Sequence, residues 1–245
     1  MGTRLLVITL LAFVFAAQAY SALLTNAWDV KELAKSNDNQ VELRDRRGTL
    51  VKRVDTQQIR YLYTVKTSME RVAEIQTKLV IVDGKQPNAF AAKGNGGENI
   101  VAINVAMLDV LGMDIHAAAA LIGHELAHLR LKHGEHRKVQ ASSTEFMKIL
   151  GGAALTGMGI PAGQLISNLT FTAINTKYSR DDEREADYLG AIWAVEAGYE
   201  VDGAVRLQEE VYRQSRSSPV PFLSSHPSGP ERIATLKSLA RRLSR

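Results

Sequence analysis

Cysteine is absent from the 245 residues of this sequence. Its absence excludes a disulfide framework, thiolate ligands for zinc and a lipid carried on an N-terminal cysteine. Any bound metal must therefore be held by histidine and carboxylate side chains. Proline (6 residues) and aromatic residues (6%) are also scarce, and no internal repeat is visible. With 45% hydrophobic and 23% charged residues, the composition is typical of a globular protein that buries one sizeable core.

A strong excess of charge of one sign is lacking as well. The formal net charge is +4 and the pI is about 9.3, which is mild for a nucleic-acid-binding protein. Basic residues are dispersed among acidic ones except near the end of the sequence, where Arg241, Arg242 and Arg245 cluster. We expect no nucleic-acid partner, and we interpret this cluster as a solvated tail with a slight attraction to anionic surfaces.

The longest clearly apolar run stands at the beginning of the sequence. Arg4 is followed by thirteen uncharged, mostly apolar residues (5–17), and a small-x-small pattern ends at Ala19. This pattern predicts a cleavable secretory signal over 1–19, followed by one exported domain over 20–245 that is not lipidated. An uncleaved membrane anchor is the alternative, although the run is short for a membrane span.

Several segments outside the signal have a readable pattern. Helical spacing of apolar residues predicts an amphipathic helix over 56–75, and the β-branched run 78–82 predicts a strand. Two further strands, 88–91 and 99–104, are predicted on either side of a glycine-rich turn. The segment 28–42 has only a weak pattern, and at most a short helix is predicted there.

The strand Asn88-Ala89-Phe90-Ala91 is a candidate for substrate binding. An extended peptide could add to the free edge of this strand, which gives main-chain recognition with little side-chain selectivity. The alternative is that the strand merely closes the core.

The sequence His124-Glu125-Leu126-Ala127-His128 carries the clearest chemical signal. Two histidines four residues apart on a helix project from one face and can bind one metal ion, with Glu125 beside it. Because apolar and alanine-rich residues surround this motif, we expect the helix to be central and buried.

The ends of the motif helix also have sequence signals. Asp114 is placed to cap a helix over 115–132, which Gly134 would close. His133 and His136 are out of phase with the two motif histidines, so we predict that both lie on the surface.

A hydrolytic zinc site takes three protein ligands and keeps one position for water. The third ligand is not the last histidine of the longer H-E-x-x-H-x-x-G-x-x-H motif, because Gly134 stands in its place. Glu183, on a helix predicted to start at the N-cap Ser179, is the best candidate. Asp187 lies one turn later on the same face, where it can hydrogen-bond a ligand histidine, whereas Glu185 is expected to face solvent.

The Gly- and Ala-rich stretch 146–160 is apolar but contains too many glycines for a good membrane span. A helical hairpin or a lid near the site is the preferred interpretation. Peripheral membrane contact through this stretch is the alternative.

Four motifs in order resemble the HtpX-like and CAAX-prenyl-protease zinc metallopeptidases. They are Asn88 to Ala91, His124 to His128, Ser179 to Asp187, and Ser225-His226-Pro227 followed by Arg232-Ile233. The resemblance implies an α+β, mainly helical, zincin-like (gluzincin) metallopeptidase domain with a small β-sheet beside the active-site helix. It also implies one Zn²⁺ per chain, bound by His124, His128 and Glu183, with Glu125 as general base. Within the family the sequence resembles small exported bacterial members, since it lacks several long apolar spans and a helical-repeat extension.

The resemblance places His226 near the metal. His226 and Arg232 are predicted to stabilise the developing oxyanion from across the cleft. Alternatively, His226 occupies the open coordination position and keeps the enzyme latent until its loop moves, or it only caps the last helix.

The resemblance and the export signal together imply a zinc endopeptidase of the bacterial envelope, with its catalytic domain (20–245) in the periplasm or, in the alternative, anchored to the membrane and facing the periplasm. Its implied substrates are unfolded, misfolded or stalled envelope proteins. The alternative is a chaperone or assembly factor for outer-membrane proteins with little proteolysis.

Overall fold

The computed structural model describes residues 26–94, 97–136, 172–173, 178–217, 220–227 and 229–243. The predicted signal and the stretch 146–160 lie outside these ranges. No helix within the ranges combines the length and hydrophobicity needed to cross a membrane.

Helices and short strands alternate along the described chain. The helices are α1 (Val30–Leu33), α2 (Thr56–Ala73), α3 (Val105–Leu111), α4 (Ile115–Arg130), α5 (His133–His136), α6 (Arg180–Glu196), α7 (Asp202–Ser215), α8 (Pro221–Ser225) and α9 (Pro230–Leu243). The strands are β1 (Ala27–Asp29), β2 (Gln40–Arg44), β3 (Leu50–Asp55), β4 (Lys78–Val82), β5 (Ala89–Lys93), β6 (Asn99–Asn104) and β7 (Thr172–Ala173). This mainly helical α+β architecture confirms the predicted fold class.

Five strands form one sheet in the order β1-β4-β6-β5-β7. β4 and β6 are parallel and the other neighbours are antiparallel. The two parallel strands lie inside the sheet and are almost fully buried, as expected for strands covered on both faces. The three strands predicted at 78–82, 88–91 and 99–104 are confirmed, with β5 and β6 joined as an antiparallel pair.

Residues 28–42 contain the short helix that the sequence allowed, whereas the strands on either side of it were not predicted. A helix is present but is only four residues long (α1), and strands β1 and β2 flank it. β1 exists because it pairs with β4, which a three-residue segment cannot reveal locally. β2 and β3 form a separate antiparallel hairpin whose turn places Gly48 at φ 79°, a left-handed conformation that suits glycine.

The α4 helix is the centre of the fold, as predicted. The Asp114 carboxylate caps it by accepting hydrogen bonds from the backbone N–H groups of His116 (3.1 Å) and Ala117 (3.0 Å). Every residue from Ala117 to His128 is buried. α2, α6 and α7 pack around α4, so apolar neighbours surround the motif on its own helix and on the next ones.

The predicted end of this helix was wrong. α4 stops at Arg130, and Lys132 adopts a left-handed conformation with φ 55°. Gly134 lies inside the short helix α5 and does not terminate α4. The helix therefore ends two residues earlier than expected, and the chain direction changes before His133.

Gly123 and Gly190 mark the close approach of α4 and α6. A Cβ atom at Gly190 would lie 2.8 Å from both the Gly123 carbonyl carbon and the His124 backbone nitrogen. A Cβ atom does not approach non-bonded backbone atoms this closely, so the absence of a side chain at these two glycines allows the helix backbones to touch. This contact sets the separation between the motif on α4 and the acidic residues of α6.

We expect Gly190→Ala to lower the free energy of unfolding by about 1–3 kcal/mol, because the added methyl group forces the backbones apart. The intrinsic preference of alanine for helices, about 1 kcal/mol, acts in the opposite direction and is outweighed. Urea unfolding measures the change. Gly229→Ala is the control, since a Cβ there meets nothing within 4 Å. Equal stability of both variants would contradict the tight crossing.

Candidate metal centre

Four structural elements meet at the site. α4 contributes His124, Glu125 and His128, and α6 contributes Glu183 one helical turn before Asp187. His226 follows α8, and Arg232 lies in the first turn of α9. The capping box predicted at Ser179 is present, with the Ser179 hydroxyl accepting from the Asp182 N–H at 3.1 Å. This cap begins α6 just before Glu183 and fixes which residues face α4.

Three side chains converge on one point. The Nε2 atoms of His124 and His128 are 3.0 Å apart. The carboxylate of Glu183 lies 3.5 Å from His124 Nε2 and 3.3 Å from His128 Nε2. These are the residues that the sequence had suggested as ligands.

His226 joins the same cluster. Its Nδ1 is 3.1 Å from His124 Nε2 and 3.0 Å from Glu183 Oε1. One donor atom from each of His124, His128, Glu183 and His226 lies within 4.8 Å of the others, and all four residues are buried.

Glu125 is fully buried beside this cluster. Neither of its carboxylate oxygens has a hydrogen-bond partner among the described residues, and the His226 Nε2 lies 3.4 Å from Oε1. A buried, unpaired carboxylate is costly, so this position requires compensation by a cation or by water.

Asp187 and Arg232 lie behind the ligands. The Asp187 carboxylate contacts His124 Nδ1 at 3.1 Å and accepts hydrogen bonds from Arg232 Nε (2.5 Å) and Nη2 (2.7 Å). Arg232 Nη1 is also 2.5 Å from Glu183 Oε2. The guanidinium thus holds two carboxylates in place in this conformation, and the oxyanion role predicted for it from the sequence stays a prediction.

Electrostatics favour the ionisation states that metal ligands need. Burial raises the pKa of Glu183, but nearby histidines and Arg232 outweigh it and hold that pKa well below the usual range. Burial, reinforced by His124, lowers the pKa of His128 well below its usual value. An ionised carboxylate and a neutral imidazole are the forms that bind metal.

The donor set fits zinc. Imidazole nitrogens and a carboxylate oxygen are ligands that zinc takes in tetrahedral sites, and cysteine is not required. His124, His128 and Glu183 would hold the ion, and the unpaired Glu125 beside them fits a base for a water molecule. Zinc bound there would lower the pKa of water and polarise a peptide carbonyl.

The prediction that His133 lies on the surface was wrong. His133 is buried, with its Nδ1 2.9 Å from His128 Nδ1 and its Nε2 3.2 Å from Glu185 Oε2. In a continuous helix, side chains five residues apart differ in direction by about 140°, so His133 is out of phase with His128 if α4 continues. The left-handed Lys132 ends the helix first and redirects the ring. Glu185 is exposed, as predicted, and the side chain of His136 lies outside the described part of the chain.

Two aromatic rings of the site were missed from the sequence. Tyr178 stacks on His128 with ring centroids 3.7 Å apart, and Phe222 stacks on His226 at 4.6 Å. Neither residue belongs to a recognisable motif. Tyr178 stands directly before the α6 cap, and its N–H donates to the Ser225 carbonyl (3.1 Å), which ties the two ring-bearing segments together.

The candidate substrate strand lies next to α4, since β5 and the helix are in contact. Asn88, Ala89 and Ala91 are buried, and Phe90 is half-buried. β7 pairs with the outer side of β5 at Ala92 and Lys93. The role of Asn88 to Ala91 in substrate binding stays a prediction.

A model of Peptidase family M48 matches residues 56–240. The chain belongs to this family. It is a zinc-dependent metalloendopeptidase, and the resemblance seen in its motifs is confirmed. The matched range includes every residue of the centre described above.

Individual M48 relatives are distant. The chain is 27% identical over 212 residues to a protease HtpX homolog of Salinibacter ruber, which covers 74% of this chain and 75% of that protein. It is 26% identical to the mitochondrial metalloendopeptidase OMA1 of Schizosaccharomyces pombe, over 68% of this chain and 47% of that protein. A protein of Vibrio cholerae named as a beta-barrel assembly-enhancing protease is 30% identical, over 53% of this chain and 30% of that protein. The chain thus matches less than half the length of the last two.

We expect Asp187→Ala to lower the free energy of unfolding by about 3–5 kcal/mol, because buried Arg232 loses its main partner. Zinc affinity should fall about 10- to 100-fold, since His124 loses the carboxylate that orients it. Urea unfolding and competition with a chelator measure the two effects. Glu209→Ala, which removes an exposed pair with Lys237, should cost at most about 1 kcal/mol. An Asp187 variant as stable as this control would show that Arg232 is not held as described.

Proposed function

We propose that this chain is an endopeptidase of the bacterial cell envelope that cuts misfolded or stalled envelope proteins. The observation that carries the proposal is the buried Glu125, whose carboxylate accepts no hydrogen bond from a described residue, beside the convergent donors of His124, His128 and Glu183. The names of two relatives, a protease HtpX homolog and a beta-barrel assembly-enhancing protease, support the choice of substrate class.

Export of the protein is part of the same proposal. The apolar start of the sequence and the small residues near Ala19 support removal of 1–19 and a catalytic domain over 20–245 in the periplasm. The Vibrio cholerae relative is consistent with an envelope role.

Glu125 is the proposed general base. Its carboxylate would accept a proton from the attacking water and return that proton to the leaving amine. His124, His128 and Glu183 would hold the ion, and Asp187 and Arg232 hold these side chains from behind. β5, adjacent to α4, is the proposed strand that binds extended substrate through its backbone. Recognition of this kind suits unfolded segments of many sequences.

A cavity of about 330 Å³ lies beside α9, next to the buried cluster. It is lined by residues of α6, by the segment after His226 and by α9, including Glu183 and Arg232. We propose that water for hydrolysis approaches the cluster from this side.

We expect Glu125→Gln to reduce casein degradation about 10²- to 10⁴-fold, because glutamine keeps the size of the side chain but cannot accept a proton. Zinc content, measured by elemental analysis, and the unfolding midpoint should stay at the wild-type level. Equal proteolysis by the two proteins would reject Glu125 as the base.

The same variant distinguishes the proposed peptidase function from the alternative chaperone function. A chaperone or assembly factor for outer-membrane proteins would keep its cellular effect after Glu125→Gln, whereas an envelope protease would lose it. Expression with residues 1–19 intact tests export at the same time, since cleavage near Ala19 changes the mass of the recovered protein.

His226 occupies the position where a fourth ligand would stand. Its Nδ1 is as close to His124 and Glu183 as these residues are to one another, and its ring is fixed by Phe222. A hydrolytic site needs an open position for water. We therefore propose that this conformation is the latent one, and that the α8 segment moves His226 away during turnover.

We expect His226→Ala to raise casein degradation, because it frees the fourth position. A decrease of about a hundredfold, typical for the loss of one oxyanion donor, would instead assign His226 to transition-state stabilisation. Initial rates at matched zinc content decide between the two. His116→Ala is a suitable control, since this histidine lies at the opposite end of α4 and contacts Glu200.

A further inference from the structure

His133 lies between a metal-binding histidine and a carboxylate. Its ring is 5% exposed, and its two nitrogens face His128 Nδ1 (2.9 Å) and Glu185 Oε2 (3.2 Å). The three side chains come from α4, α5 and α6. None of the roles described above uses this arrangement.

The contacts allow one consistent assignment of protons. His128 Nε2 points at the cluster, 3.0 Å from His124 Nε2, so a neutral His128 that binds metal through Nε2 carries its proton on Nδ1. That proton must be donated to His133 Nδ1, which is then an acceptor. The proton of His133 is therefore on Nε2, where it is donated to the carboxylate of Glu185.

The reverse assignment fails at both ends. If His133 Nδ1 were the donor, His128 would carry its proton on Nε2 and could not bind metal through that atom. The bare Nε2 of His133 would then face a carboxylate oxygen at 3.2 Å, and two acceptors would oppose each other. Glu185, which can only accept when ionised, thus selects the tautomer that leaves His128 ready to bind.

We propose that His133 is a positioning residue for the metal centre, which fixes the tautomer and ring orientation of His128 as Asp187 does for His124. The two ligand histidines of the motif are then both supported from behind, one by a carboxylate and the other by an imidazole. Support of this kind commonly raises metal affinity. The inference rests on the zinc site of the proposed endopeptidase, and its test measures metal binding rather than proteolysis.

A packing role for the ring is the competing explanation. His133 is buried against His128 and Tyr178, with ring centroids 5.1 and 6.4 Å away. An apolar side chain of similar size would serve packing equally well. Only the hydrogen-bond role needs an acceptor at the position of Nδ1.

Leucine and asparagine at position 133 provide a matched pair, because they have nearly the same shape and only asparagine offers an acceptor near the position of Nδ1. We expect His133→Leu to weaken zinc affinity about 10- to 100-fold, and His133→Asn to restore most of it. Competition with a chromophoric chelator gives the affinities. The absorption spectrum of the Co²⁺-loaded protein should shift for leucine and stay near wild type for asparagine. Glu185→Gln should weaken zinc affinity by less than His133→Leu, because its amide can still accept from His133 Nε2 but, unlike the carboxylate, can also donate to the reverse tautomer.

Zinc affinity of His133→Leu equal to wild type would overturn the proposal. Equal weakening by leucine and asparagine would also overturn it, in favour of packing. If the leucine variant does not fold, His133→Gln replaces it, since its amide lies near the position of Nε2 and leaves that of Nδ1 empty; glutamine and asparagine variants of equal affinity would then reject the role. A protein that shows the expected affinities but cuts no substrate would contradict the proposed endopeptidase and leave this inference intact.

Discussion

The contact between the backbones of α4 and α6 at Gly123 and Gly190 is the constraint on which the site depends. Each helix carries only part of the chemistry, and their separation decides whether the parts meet. Because neither glycine has a side chain, His124 and Glu183 can approach within 3.5 Å. The surrounding helices and the sheet can be seen as the packing that holds this one crossing in place, since α2, α7 and β5 all contact α4.

The crossing brings several ionisable groups into the interior, where each alone would be unfavourable. Ion pairs and hydrogen bonds among these groups offset the free-energy cost of burying them. Arg232 forms ion pairs with both Asp187 and Glu183, and burial keeps His128 uncharged. Glu125 is the exception, since no described neighbour donates a hydrogen bond to it. A protein interior leaves a carboxylate in that condition mainly where reactivity depends on it, which is why this residue, more than the ligands, supports the assignment of hydrolysis.

Much of this architecture was predictable from the sequence, for local reasons. The helix that Asp114 caps was predictable from its cap and its apolar, alanine-rich run, and the helix that Ser179 caps from its N-terminal cap. Such signals do not need tertiary information. Glu183 could be proposed as a ligand because a zinc site with two histidines needs a third ligand and cysteine is absent, and the structure places its carboxylate beside both histidines. The strand β1 and the role of His133 were not predictable, since the first depends on pairing with β4 and the second on a backbone reversal at Lys132. Sequence periodicity predicts regular helices and strands, but not the residue at which the backbone leaves them.

The left-handed conformation of Lys132 limits the length of α4. An α-helix that has formed tends to add further residues. The left-handed φ of 55° at Lys132 ends α4 instead, and this conformation costs free energy for a non-glycine residue. If α4 continued through His133, the His133 ring would point away from His128. The Nδ1 atom of His128 would then lose its contact with His133. With the role proposed for His133, this early end of the helix serves the metal centre, because it places the His133 ring against His128 at the expense of local backbone stability. On the same proposal, mutations that extend α4 would stabilise the helix and weaken metal binding.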